Sequence, residues 1–545
     1  MGVLHRLPAR SDWDPLGTWA ARLPSALASI VVMLMLSLTL LRWPQSASME
    51  RGSPASVVTA LTASLAFALG PLAWLWGRTE VSDGLFSALL SLALLLAWRT
   101  YAAASGPWWP CWLLVALAML TKGPVALLLV LLTLLPFAWL QGDGPRLRER
   151  LQPLRGMTLA LGLAVPWYAL ALLREGEPFW RSFFGYHNVQ RFTHVVNNHH
   201  RPWWFFLVLS LIASLPSTPL LVLGVVQQLR RGRAVVPADR SLGRFAFCWL
   251  MAVLLSFSCS ATKLPSYWLP ATPAAALLTA LVLPAGAFSP SRHGAQQSTL
   301  DRSPVDRCGP AIALTAMAAI LLLAAVGLGG ARWWLPLIED PSMPGLGTAL
   351  EQAPWTLWGA LIATAAALMA GGLLSRDPSL RLLQAQLVWL LMVPLVGLPL
   401  WRVGDQLRGA PIRTLASVAA AHQRPAEPWA MVGQMKPSLH YYGHRVVIYE
   451  GRSRAALINL AQRLAHERRS GLEPSSPSGQ PTLLLVIDAR TAAEAHWQGP
   501  AAVELGRAGT YRLLRLERRW LERRARLLEA GGERATWRRP RMERY

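Results

Sequence analysis

The chain runs to 545 residues, 53% of them hydrophobic and only 15% charged, where a soluble protein carries roughly a quarter charged residues. Its apolar residues fall in blocks long enough to cross a hydrocarbon core of roughly 30 Å, which takes about 20 residues of helix; a soluble globular enzyme is excluded. The formal charge of +24 does not point to nucleic acid, because the arginines sit in short loops between apolar blocks and in the C-terminus, as cytoplasmic membrane connections do.

Residues 1–19 are polar and lack the apolar core of a removable signal peptide. Beyond them, length and composition predict about twelve spans, near residues 22–41, 55–76, 84–98, 108–120, 124–140, 159–173, 203–226, 245–258, 267–285, 311–328, 355–374 and 382–400. This array reads as an all-α polytopic membrane bundle over residues 1–402, since a helix satisfies its own backbone where lipid offers no partner. Pro24, Pro71 and Pro166 fall inside predicted spans, which is tolerated where neighbouring helices re-satisfy the freed carbonyls. Cys111, Cys248, Cys259 and Cys308 lack metal-type spacing and read as small core residues.

Alternate loops are basic: Arg146, Arg148, Arg150 and Arg155; Arg230, Arg231, Arg233, Arg240 and Arg244; Arg292, Arg302 and Arg307; Arg376 and Arg381. The positive-inside bias assigns these to the cytoplasm, and the complementary loops to the periplasmic side of a bacterial inner membrane. With an even number of spans Met1 then begins outside, which is unusual for an uncleaved chain, and the expectation is that one further span precedes it.

After Trp401 the pattern changes. Residues 429–432, 445–449 and 482–487 are short runs of branched and aliphatic residues that predict buried strands, with an amphipathic helix over 454–468 between two of them. Alternating strand and helix predicts a small C-terminal α/β domain over residues 403–516 on the outer side, with a Ser-, Pro- and Gly-rich surface loop at 471–481. Residues 517–545 form an Arg-rich tail, expected to be a helix that frays into disorder, with contact to anionic membrane lipids as the alternative.

Four outer-side segments gather chemistry. In Glu80-Val81-Ser82-Asp83 a Ser or Asp before an apolar helix caps its free N–H groups, and a carboxylate held there is also rigidly placed for function. Thr121-Lys122-Gly123-Pro124 is a tight turn whose Lys either snorkels to the interface or joins the other segments. The third runs from Phe183-Phe184-Gly185-Tyr186-His187-Asn188-Val189-Gln190-Arg191-Phe192 to His199-His200-Arg201-Pro202-Trp203-Trp204. An aromatic belt explains Trp203 and Trp204, but Asn188 and Arg191 are donors suited to a phosphate or a sugar. In Ser260-Ala261-Thr262-Lys263-Leu264-Pro265-Ser266-Tyr267, Lys and Tyr four residues apart share a face if the helix begins early, and a helix N-terminus favours phosphate. A snorkelling Lys beside an interfacial Tyr is the alternative.

In order and spacing, Trp19-Ala20-Ala21-Arg22-Leu23-Pro24-Ser25-Ala26, Val81-Ser82-Asp83, Leu120-Thr121-Lys122-Gly123-Pro124, His187-Asn188-Val189-Gln190-Arg191-Phe192 and Thr262-Lys263-Leu264-Pro265-Ser266-Tyr267 resemble the GT-C superfamily of membrane glycosyltransferases. The branch is that of the aminoarabinose lipid A transferases and relatives of the dolichyl-phosphate-mannose protein mannosyltransferases. The resemblance implies a bundle of about thirteen helices with a C-terminal outer domain. It implies transfer of a sugar, with inversion, from a polyprenyl-phosphate donor to a lipid or protein acceptor at the outer face.

It further implies that Asp83 is a catalytic carboxylate, that His199 or His200 reaches the substrate cavity, and that Lys263 and Tyr267 bind the carrier phosphate with Lys122 and Arg191 as companions; Asn188 and Arg201, read from their donor chemistry, are further substrate-binding candidates. A divalent metal would sit on Asp83 with His199 or His200, although two ligands are too few to claim one. The family's main Asp base, in the first outer loop, has no counterpart before Arg22, because Asp12 and Asp14 lack its context; the expectation is that it lies upstream of Met1. The rival classes are a lipid-linked glycan ligase or polymerase, which would not need the terminal α/β domain, and a transporter or flippase. The last would put charges near mid-span, whereas Asp83, Lys122, Arg191 and Lys263 fall at span ends.

Overall fold

The computed structural model describes residues 18–46, 49–79, 81–195, 201–233, 236–283, 304–340, 343–352, 354–470, 481–499 and 502–538. The chain forms two compact units, one from the residues up to 327 together with 360–392, the other from 328–359 together with 393–541.

Among the described residues six helices are long and apolar enough to cross a membrane: Ala20–Arg42, Ser82–Ala102, Pro153–Glu175, Leu242–Cys259, Cys308–Gly329 and Pro378–Arg408. Phe205–Ala213 and Thr218–Arg231 make a seventh if the pair, bent by 120°, is one span. The chain is thus a multi-pass membrane protein, but the expected spans do not each return as one long helix, and the reasons are local. Gly70-Pro71 divides the span predicted at 55–76 into Pro54–Ala68 and Pro71–Trp76. The span at 267–285 opens as a 3₁₀ turn, Pro265–Ala271, before the helix Thr272–Leu281. Proline starts a helix well and interrupts one poorly tolerated inside it.

The helix Ser82–Ala102 is the spine of the first unit, packed against Thr18–Arg42, Trp109–Lys122 and the Pro265–Ala271 turn. Lipid tails are as apolar as leucine, so close fit rather than water exclusion holds such helices together. Phe137 lies edge-on between Tyr101 and Phe245 at 5.3 and 5.1 Å. Gly156 packs so tightly on Trp112 that a Cβ would fall 2.1 Å from the indole, whose N–H donates to Leu151 O at 2.8 Å. By contrast Pro153–Glu175 turns Leu154, Leu161, Leu170 and Leu173 outward, the lipid-facing pattern. Cys111 and Cys248 are core residues as expected, whereas Cys259 and Cys308 are exposed.

The two ends of the spine differ in kind. At its C-terminal end the Tyr101 hydroxyl donates to Asp143 at 3.1 Å and Arg146 donates to Tyr101 O at 3.3 Å. The buried Arg244 donates to Leu140 O at 3.0 Å and to Gln141 at 2.9 Å. Asp83 lies in the first turn at the other end, about 27 Å away at 1.5 Å per residue, which is one hydrocarbon thickness. Arg146 and Arg244 therefore lie at the opposite end of the spine helix from Asp83.

In the second unit the helix Ala410–His422 leads into a five-stranded sheet of β1 Trp429–Val432, β2 Val447–Glu450, β3 Thr482–Asp488, β4 Ala502–Ala508 and β5 Tyr511–Glu517. The order is β2-β1-β3-β5-β4. The first three strands are parallel and β5 runs antiparallel to both neighbours. Side chains alternate across the sheet. Ala430, Val432, Leu483 and Leu485 join Leu457 of the helix Arg454–Arg469 and Leu521 of the helix Arg518–Ala530. Trp429, Met431, Leu484 and Val486 pack on Ile412 and Leu415. Strands covered on both faces read as unbroken apolar runs, which is why these three are visible in sequence.

β4 and β5 are strands that the apolar-run criterion misses. β4 is an edge strand bulged between Glu504 and Gly506, and β5 alternates Arg512 and Arg515 with the buried Leu513 and Leu516. The tail also differs from expectation. Leu521 and Ala525 are buried, and Asn459 accepts the Thr536 and Trp537 N–H groups at 2.6 and 3.0 Å, so the α/β fold continues past 516 as far as Arg538. Residues 471–480 of the predicted loop and 539–545 of the tail lie outside the described residues.

Candidate functional site

Asp83 is set by the start of the spine helix. The residue before that helix, Val81, has no capping side chain, so Ser82 and Asp83 stand in the first turn and are not its cap. Asp83 instead forms an ion pair with Lys122, the last residue of the helix Trp109–Lys122. Gly123, at φ +88°, ends that helix in a conformation that favours glycine. The Lys122 ammonium also lies 5.3 Å from the ring centre of Tyr267 and 5.9 Å from that of Phe86, within cation–π range.

Tyr267 belongs to the 3₁₀ turn Pro265–Ala271 and packs tilted against Phe257, ring centres 4.9 Å apart. Its other neighbour is Arg191, whose guanidinium is close enough to act on the Tyr267 hydroxyl electrostatically and lies 6.0 Å from the Tyr186 ring. Arg191 follows an eleven-residue π-helix, Trp180–Gln190; π-helical turns are rare and concentrate at functional sites. An aromatic cluster buttresses that helix, with Phe179 stacked on Phe183 at 5.4 Å and Tyr168 against Phe183 at 5.3 Å.

The expected residues do not all meet. Asp83, Lys122, Tyr267 and Arg191 form one connected cluster. Lys263 adjoins it through its backbone neighbour, since Thr262 N–H donates to Arg191 O at 3.0 Å; the buried Lys263 ammonium itself donates to Ser260 O at 2.5 Å. Lys263 and Tyr267 do not share a helical face, because the helix starts only at Pro265 and is 3₁₀. Asn188 donates to Phe183 O at 2.6 Å and lies against Gly123, between the two turns. Arg201 is exposed. Glu80, His199 and His200 lie outside the described residues, and among the described residues no group of three or more His, Cys, Asp or Glu side chains could hold a metal ion.

Phe86 and Tyr186, the rings beneath Lys122 and Arg191, are site residues that the sequence does not single out; Tyr186 lies within the aromatic segment 183–192, whereas nothing marks a Phe inside a span. Two cations, Lys122 and Arg191, thus gather with one carboxylate, Asp83, at the end of the spine helix away from Arg146 and Arg244, and the Lys263 ammonium is held on the adjoining segment by the Ser260 carbonyl. The excess of positive charge, joined by a tyrosine hydroxyl, suits a phosphate-bearing ligand.

Residues 422–532 match the family model of the cyanobacterial RgtA-type glycosyltransferase C-terminal domain. The chain is 33% identical over 248 residues to the undecaprenyl phosphate-alpha-4-amino-4-deoxy-L-arabinose arabinosyl transferase of Pseudomonas aeruginosa, covering 41% of this chain and 43% of that one. It is 33% identical over 177 residues to the transferase 2 of the same name from Pseudomonas fluorescens, covering 32% and 27%. The matched region spans less than half the length of these curated relatives. Among solved structures, ArnT from Cupriavidus metallidurans bound to undecaprenyl phosphate aligns with a TM-score of 0.66 at 19% identity, over 91% of this chain and 84% of that one. The apo state of the same protein aligns at 0.65 and 19%, over 92% and 85%. The chain has the ArnT fold, and its curated relatives are the aminoarabinose transferases whose family the motifs resemble.

Proposed function

We propose that this protein transfers a sugar from a polyprenyl-phosphate donor to a lipid or protein acceptor, with inversion, at the periplasmic face of a bacterial inner membrane. The observation that carries the reading is the cluster of Asp83, Lys122, Arg191 and Tyr267, drawn from four separate segments to one end of the bundle. A fold shared with a protein solved with undecaprenyl phosphate supports it.

In this reaction the acceptor oxygen attacks the anomeric carbon as the bond from that carbon to the carrier phosphate breaks. The bonding pair leaves with the polyprenyl phosphate, and the acceptor proton passes to a base. Arg191, Lys263 and the Tyr267 hydroxyl stabilise the charge that grows on the departing phosphate, where preformed donors act most strongly. Among the described residues Asp83 is the carboxylate placed to take that proton; a general base contributes about 10²–10⁴-fold. Lys122, between Asp83 and Tyr267, holds the carboxylate in position and offers charge to the donor. A phosphate leaving group so stabilised needs no strong acid.

The names of the relatives make undecaprenyl phosphate–aminoarabinose the first donor to test and lipid A the first acceptor. The full chain reconstituted in liposomes is expected to transfer the sugar, and Arg191→Ala to abolish transfer without loss of protein from the membrane. A wild type that binds no undecaprenyl phosphate would overturn the reading. Binding only of a pyrophosphate-linked glycan would move it to the ligase class.

A further inference from the structure

The last carbonyls of a helix have no partner within it, and the run Trp180–Gln190 followed by Arg191–Thr193 ends in such groups. Donors from a distant stretch of chain satisfy them. Ala261 N–H donates to Phe192 O at 2.9 Å and Thr262 N–H to Arg191 O at 3.0 Å. The Ser260 hydroxyl lies 3.1 Å from Arg191 O, and the Thr262 hydroxyl donates to His194 O at 2.9 Å. Both hydroxyl-bearing residues are buried, at 2% and 1% exposure. Water therefore does not compete for these bonds.

We propose that Ser260 and Thr262 are positioning residues: they cap the Arg191 helix end from another part of the chain, and so hold the Arg191 guanidinium, the Tyr267 hydroxyl and the Lys263 ammonium as one preformed anion site. The inference rests on the reading that these groups bind the carrier phosphate. Two physical effects support it. Bare carbonyls at a helix C-terminus carry the negative end of the helix dipole and would oppose an anion beside Arg191; the donors from 260–262 satisfy three of those carbonyls. The same bonds also fix the register between two segments 69 residues apart, one bearing Arg191 and the other leading directly into Lys263 and Tyr267.

Ser260 has a second part in the arrangement. Its hydroxyl also lies 3.0 Å from Thr262 O, so one proton serves two acceptors. Its own carbonyl receives the Lys263 ammonium, which ties that cation to the same short stretch. Neither residue touches the reacting atoms in this scheme. Each acts through the groups that it orients.

The test uses the full chain in detergent or nanodiscs with undecaprenyl phosphate as the probe. Thr262→Val keeps the shape and the backbone N–H but deletes the hydroxyl, Thr262→Ser restores it, and Ser260→Ala deletes the other. Losing one such bond is expected to raise the Kd about five- to tenfold in Thr262→Val and in Ser260→Ala, with the fold kept and only a small drop in the thermal midpoint, and Thr262→Ser is expected to bind as wild type does. A wild-type Kd in both deletion variants would overturn the inference while leaving the functional reading intact. So would a Thr262→Ser variant as weak as Thr262→Val, because shape and not the hydroxyl would then decide. If Thr262→Val fails to fold, Ser260→Ala against wild type decides the matter alone. A wild type that binds no undecaprenyl phosphate removes the functional reading and this inference with it.

Discussion

Lys122 and Asp83 are ion-paired across the ends of two successive helices, the cation in the last turn of Trp109–Lys122 and the carboxylate in the first turn of Ser82–Ala102. Each charge is favoured by the dipole of its own helix, so the pair is stabilised from both sides before the two meet. Asp83→Asn removes the carboxylate and keeps its shape. Turnover is expected to fall at least about 100-fold, the low end for loss of a base, while undecaprenyl phosphate binding is kept, because Lys122 stays available to the phosphate. Lys122→Met is expected to lose both. Measuring turnover and binding side by side decides: equal loss of binding in the two variants would make the pair a structural clamp and nothing more.

Arg191 and Lys263 differ in what they offer a phosphate. A guanidinium presents a planar fork of donors, an ammonium a point charge. Arg191→Lys keeps the charge but loses the fork, and Lys263→Ala loses a charge outright. A hydrogen bond to a charged group is worth about 1.5–3 kcal/mol, so each change is expected to weaken undecaprenyl phosphate binding by about 10- to 100-fold. Titration calorimetry or native mass spectrometry on the full chain checks this. Unchanged binding in Lys263→Ala would leave that ammonium as a partner of the Ser260 carbonyl alone.

Gly123 joins the two halves of the site through its lack of a side chain. At φ +88° a Cβ would stand 3.2 Å from Phe183 and 3.3 Å from the Asn188 side-chain oxygen. Gly123→Ala therefore carries backbone strain of about 1–3 kcal/mol and also pushes the Lys122 turn away from the helix that bears Arg191. A lower thermal midpoint together with weaker undecaprenyl phosphate binding is expected. Gly142→Ala is the control, since Gly142 has φ +69° but nothing within 4 Å of the added carbon; it should cost stability and leave binding alone. Equal effects from both variants would show that only backbone strain matters.

How much of this was legible in the sequence depends on what kind of contact was at stake. Strands β1 to β3 stood out because helices cover both their faces and leave unbroken apolar runs, whereas β5 hides its Leu513 and Leu516 between arginines. Asp83, Lys122, Arg191 and Tyr267 were visible as polar residues at apolar boundaries, but their meeting depends on packing that no local pattern encodes. The shared face expected for Lys263 and Tyr267 failed for a local reason: Pro265 starts the helix two residues after the lysine. Asn188 reads as a ligand donor, and one of its amide N–H groups is engaged by Phe183 O, a bond made by the π-helical turn, which carries no sequence signature.

Glu427 links the α/β domain's pH dependence to one buried ion pair. Its carboxylate accepts from Arg515 at 2.9 and 3.1 Å, from the Thr482 hydroxyl at 2.6 Å and from Arg424 N–H at 3.1 Å. Burial pushes the Glu427 carboxyl up, but Arg515, Thr482 and the Arg424 N–H together outweigh it and hold the group below the usual carboxylate value. A carboxyl depressed in the folded state stabilises it fully above the unfolded value of about 4.3, and that contribution drains as pH falls through the lower folded value. Glu427→Gln removes the negative charge and leaves Arg515 buried against a neutral amide; breaking a buried pair in this way costs about 3–5 kcal/mol. Hydrogen exchange of the β3 and β5 amides in the full chain is expected to quicken in Glu427→Gln at pH 7. It is also expected to lose part of its pH dependence below about 4.3, because the variant has no carboxyl left to protonate. Wild type and variant exchanging alike at pH 7 would mean that the pair contributes no net stability to the sheet.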